Sequence, residues 1–170
     1  MVTETPNLPI SAQAGPEMAV LAPYYRDWSW SGTIEAGGMG PGSPFMTGTG
    51  RASCRLAPGG LWYECDFEQD QHLADGTFVL TWRLHWVAGW DGRASEYRAS
   101  CVDNQGPNLG LYRGRIEGDR LVYESLAEGL PRIRLTWIPS DATHCTWRNE
   151  LSLDGVTWNL IEEYQMEAPT

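Results

Sequence analysis

From Trp28 to Met166 the chain repeats one pattern: apolar residues at every second position, in short runs cut by turn residues. Side chains of a strand point alternately to its two faces, so a period of two reads as a strand with one apolar and one polar side. Trp28, Trp30, Gly32 and Ile34 alternate with Ser29, Ser31, Thr33 and Glu35, and Leu80, Trp82, Leu84 and Trp86 alternate with Thr81, Arg83 and His85. The same rhythm sets Leu61, Tyr63, Cys65 and Phe67 on one face, and Cys145, Trp147, Asn149 and Leu151 on another. The last run places Trp158, Leu160, Glu162, Tyr164 and Met166 together. Asp75-Gly76, Gly118-Asp119 and Asp154-Gly155 supply hairpin turns. This spacing predicts about ten short strands and an all-β domain. One-sided strands joined by hairpins leave no edge when they close, which favours an antiparallel up-and-down barrel of about 8–10 strands over a sandwich.

Before the strands, Pro16–Tyr25 reads as one short helix with Pro in its first turn. Residues 1–15 are small, polar and Pro-containing, and read as a flexible tail ahead of a single domain at 16–170. Gly37–Gly50 reads as a Gly/Pro loop. GGMGPG within it precedes no helix, so it is not a phosphate cradle.

Composition excludes several classes. The net charge of −10 argues against nucleic acid and against an anionic membrane surface. All twelve basic residues are Arg, which rules out lysine Schiff-base, pyridoxal and P-loop chemistry. The opening MVTETPNLPISAQAGPEMAV has neither a basic n-region nor an apolar h-region, so a cytoplasmic chain is expected. Cys54, Cys65, Cys101 and Cys145 form no C-x-x-C pair and fall on apolar faces. They read as reduced core residues. Three scattered histidines make no metal pattern, and no metal or cofactor is expected.

Nine Trp, seven Tyr and three Phe form the strongest signal. Trp28, Trp30, Trp82, Trp86, Trp147 and Trp158 fall on inward-reading faces, with Tyr63, Tyr97 and Tyr123 beside them. Such rings fill a core, or they line a pocket and stack on an apolar ligand. Glu162 is the polar exception on the last inward face. Burial there would raise its pKa and make it a candidate general acid or base, helped by Tyr164 and Asn149. The competing reading pairs Glu162 with Arg132 or Arg134 in a structural network.

LAPYYRDWSWSGT, GRASCRLAPGGLWYECDFEQD, GWDGRASEYRA and LSLDGVTWNLIEEYQ, in this order, resemble an uncharacterised bacterial group of lipocalin-like (calycin) barrels. The resemblance spans about Gly15 to Met166. It implies a lipocalin- or fatty-acid-binding-protein-like barrel with a ligand cavity, and no particular chemistry. Trp28 matches the group's Gly-x-Trp on the first strand. Its Gly falls on Arg26, so the packing at the barrel base departs there.

Three functions follow as expectations. The first is a cofactor-independent cyclase, isomerase or dehydratase of specialised metabolism. It would act on a polyketide- or terpenoid-like molecule held by the aromatic residues, with Glu162, Tyr164 and Asn149 as catalytic groups. The second is a carrier or sensor of a similar hydrophobic ligand. The third is a haem barrel using His85 or His144, both of which read as outward-facing. The expected partner is a small hydrophobic organic molecule, not nucleic acid or membrane, and a homodimer stays open.

Overall fold

The computed structural model describes residues 14–107 and 109–169. The expected tail, apart from Ala14 and Gly15, lies outside the described residues. Helix α1 spans Pro16–Leu21. Ten strands follow: β1 Trp28–Ile34, β2 Met46–Leu56, β3 Trp62–Leu73, β4 Phe78–Asp91, β5 Glu96–Asp103, β6 Leu109–Glu117, β7 Arg120–Ser125, β8 Arg132–Pro139, β9 His144–Ser152 and β10 Asn159–Glu167. Each pairs antiparallel with its neighbour in sequence, and β1 pairs with β10, so the barrel closes. The expected up-and-down barrel with a short N-terminal helix is the architecture found. Among the described residues no helix is long and apolar enough to cross a membrane.

Two elements differ from the sequence reading. The helix stops at Leu21 rather than Tyr25, because Pro23 has no N–H to continue the ladder. The loop expected at Gly37–Gly50 ends early, and β2 begins at Met46. Gly48 and Gly50 lie inside the strand because rings lie against them. A Cβ on Gly50 would meet the Trp30 ring at 2.5 Å and the Glu68 carbonyl at 2.6 Å.

Cys54 and Cys65 correct a third expectation. They sit directly opposite each other on β2 and β3, and their sulfurs are bonded. The reduced state was inferred from the N-terminal composition, which carries no information on strand register. Cys101 and Cys145 are free thiols, and burial pushes Cys145 up to about 12. Thiol titration of the denatured, unreduced protein should therefore find two reactive thiols, rising to four after reduction. Four at the outset would contradict the cross-strand bond.

Helix α1 and the segment after it cover one end of the barrel. Leu21 is fully buried there. Tyr97 donates to the Glu17 carbonyl at 3.1 Å, and Tyr24 donates to that of Asp119 in the β6–β7 turn at 2.7 Å. Trp86 Nε1 donates to the Tyr25 hydroxyl (3.0 Å), which donates to that of Tyr123 (3.1 Å). Burial raises the pKa of both tyrosines, so the hydroxyls stay neutral and complete the plug.

Candidate functional site

Beyond this plug the inward faces of β1, β3, β4, β8, β9 and β10 converge on one aromatic chamber. Trp30, Trp82, Trp86, Trp137 and Trp147 line it with Phe67 and Tyr164. Leu84, Leu135, Met166 and Gln69 complete the wall. The rings pack on one another as well as on the space between them. Trp147 stacks on Tyr164 with centroids 5.5 Å apart, and Trp137 meets Trp86 at 6.1 Å and Trp147 at 6.1 Å. The cavity measures about 40 Å³, and its wall exposes no oxygen or nitrogen. That is room for roughly three waters or one compact organic group, well short of the ~300 Å³ that a drug-sized ligand fills.

A buried chain of polar groups runs behind one side of this wall. Trp30 Nε1 donates to Gln69 Oε1 at 3.0 Å, and Gln69 Nε2 donates to the Tyr164 hydroxyl at 2.9 Å. Tyr164 donates to Glu162 at 3.2 Å, and Asn149 Nδ2 donates to the other carboxylate oxygen at 3.0 Å. Every donor in the chain leads toward one acidic group. Desolvation raises the Glu162 pKa, partly offset by the hydrogen bonds from Asn149 and Tyr164. Tyr164 is raised further by burial and by the carboxylate beside it. Two more amide oxygens of inward-facing residues at this end, Gln71 Oε1 and Asn149 Oδ1, are buried without a donor.

The expected Arg partner for Glu162 is not there. Arg134 makes a two-pronged pair with Glu150, both contacts at 2.9 Å, on the opposite face of the strands. The lumen thus holds a carboxyl with neutral partners only. A carboxyl whose pKa is raised by folding keeps its proton in the folded state at pH values where the unfolded chain has lost it. Stability is then greatest below the ordinary value of 4.5 and falls as pH rises through the raised folded value. Glu162→Gln should remove that fall. The wild type should lose stability relative to the variant from about pH 4.5 upward, read as diverging urea midpoints. Parallel midpoints would contradict a desolvated Glu162.

Of the residues singled out from sequence, Trp30, Trp82, Trp86, Trp147 and Tyr164 meet at the cavity. Glu162 and Asn149 stand behind it, one hydrogen bond from Tyr164 and from each other. Trp28, Tyr63, Tyr97 and Tyr123 are buried but belong to the core that reaches the α1 end. Trp158 is the clear misplacement. Leu160 pairs with Glu150 while Glu162 pairs with Asn149, so Ile161 is an extra residue in β10 and the alternation inverts before it. Trp158 therefore lies outside, under the Arg134 guanidinium at 4.3 Å. Trp137, Phe67, Gln69 and Met166 were not singled out as site residues. Their signal was present, because Gln69 and Gln71 simply continue the period of Tyr63, Cys65 and Phe67.

None of the histidines reaches the chamber. His85 binds Asp66 at 2.8 Å and His144 binds Asp141 at 2.9 Å, both on the exterior, while His72 packs on Phe78 at 5.6 Å. The residues present do not fit a haem held in the lumen by His85 or His144.

No family model matches the chain, and no curated protein matches it. Among solved structures, that of Rv2717c from M. tuberculosis superposes with a TM-score of 0.61 over 93% of this chain and 100% of its own. The identity is 11%, so the likeness is one of fold. The class defined by fold and site is a closed ten-stranded antiparallel barrel with a buried aromatic cluster compatible with ligand binding.

Proposed function

We propose that the protein binds one compact, largely apolar organic molecule in the aromatic chamber. The carrying observation is a cavity walled by seven aromatic side chains with no charged residue among its lining. Ring faces give such a ligand large contact area at little entropic cost. A polyketide- or terpenoid-sized molecule would require the half-buried Trp82 and Trp147 to move aside. A cytoplasmic location stays part of this proposal, and the thiol titration tests it, since disulfides persist in oxidising compartments.

A second reading adds turnover without a cofactor, as in an isomerase or cyclase. It is favoured by the Tyr164–Glu162 hydrogen bond, which places a proton donor and a buried acid in series beside the cavity. With its hydroxyl turned from behind the wall into the cavity, Tyr164 would hold a ligand oxygen, and Glu162 would set the proton on Tyr164 as a positioning residue.

Tryptophan fluorescence titration with a panel of small apolar molecules tests binding, and product analysis of the best ligand tests turnover. Saturable quenching supports the carrier or sensor reading. Product formation lost in Tyr164→Phe, with binding kept, supports the enzyme. No quenching by any of the panel would overturn both.

A further inference from the structure

We infer that the chamber selects a compact organic cation of the quaternary ammonium class. This deepens the reading of the lumen as a ligand site and rests on it. Four observations converge. First, Trp30, Trp82, Trp86, Trp137, Trp147 and Tyr164 surround one small space, and aromatic faces carry the negative end of a quadrupole that attracts cations. Second, a carboxyl, Glu162, stands behind the wall and is reached through the Tyr164 hydroxyl, and no basic residue is among the chamber's lining. Third, Gln71 Oε1 and Asn149 Oδ1 are buried acceptors without donors at the same end, and they add to the negative potential. Fourth, the wall exposes no acceptor atom. A primary ammonium would leave its N–H groups unmatched there, at the cost that attaches to any buried donor. A quaternary ammonium has no N–H to satisfy and presents only methyl surface. The net charge of −10 favours the approach of cations from solution.

The test compares choline with 3,3-dimethylbutan-1-ol, its neutral isostere, by tryptophan fluorescence titration of the full chain. The expected result is choline binding at least about tenfold tighter than the alcohol, as desolvated cation–π contacts require. Above the pH at which Glu162 ionises, Glu162→Gln should weaken choline and leave the alcohol unchanged. Equal or tighter binding of the alcohol would overturn the cation assignment while sparing the apolar ligand site. Saturation by neither probe would overturn this inference, and silence across the wider apolar panel would take the ligand site with it. The wild-type comparison stands even if the variant fails to fold.

Discussion

Trp86→Ala should cost about 3–5 kcal/mol of unfolding free energy, a fall of roughly 6–20 °C in Tm for a chain of this size. Trp86 is 1% exposed and lies where the two internal regions meet. On one side its indole N–H ties the Tyr25–Tyr123 plug. Around it the rings of Tyr112, Tyr123 and Trp137 pack with centroids 5.2, 5.3 and 6.1 Å away. Truncation opens a void that rigid neighbours fill poorly, and it leaves the Tyr25 hydroxyl without its donor. Trp158→Ala is the control. That ring rests under Arg134 on the outside, and its loss should cost less than about 1 kcal/mol. Chemical denaturation of the two variants reads the contrast. Similar losses would mean that the chamber does not centre on Trp86.

Gly32→Ala should be nearly as damaging, at or above the top of the ~1–3 kcal/mol range typical of overpacking. Gly32 sits on the seam that closes the barrel, opposite Tyr164 on β10 and Gly48 on β2. A Cβ there would lie 1.9 Å from the Glu163 carbonyl oxygen and 2.6 Å from the Tyr164 ring. The first obstacle is backbone, so relief requires moving β10, and with it the residues that hold Glu162. Urea denaturation should show the loss, and amide exchange should accelerate first along β1 and β10. A neutral Gly32→Ala would contradict the β1–β10 register.

The same seam shows why the barrel was legible in the sequence and part of the site was not. Period-two patterning marks faces strand by strand, and it placed Trp30, Trp82, Trp86, Trp147 and Tyr164 correctly on the inside. It assumes an unbroken strand, so the bulge at Ile161 carried Trp158 to the wrong side. Glu162 escaped that error because it lies beyond the bulge. Gly48 and Gly50 read as loop because glycine weakens a strand in isolation. Here the Tyr164 and Trp30 rings occupy the space that side chains would fill. Gln69 and Gln71 carry no apolar mark, so the inward face of this strand reads only as far as Phe67, although the alternation continues through them. What keeps Gln69 inside is a pair of partners from β1 and β10, Trp30 and Tyr164, which only the closure of the barrel brings together. The bonding of Cys54 to Cys65 likewise depends on β2–β3 register, which no single strand reveals.

The most direct test of the central claim is a two-dimensional NMR titration of the tryptophan indole N–H signals with the tightest-binding ligand of the panel. Ligand in the chamber should shift Trp30, Trp82, Trp86, Trp137 and Trp147, and leave Trp62 and Trp158 in place. Shifts confined to Trp62 and Trp158, or none at saturation, would contradict a ligand site inside the barrel.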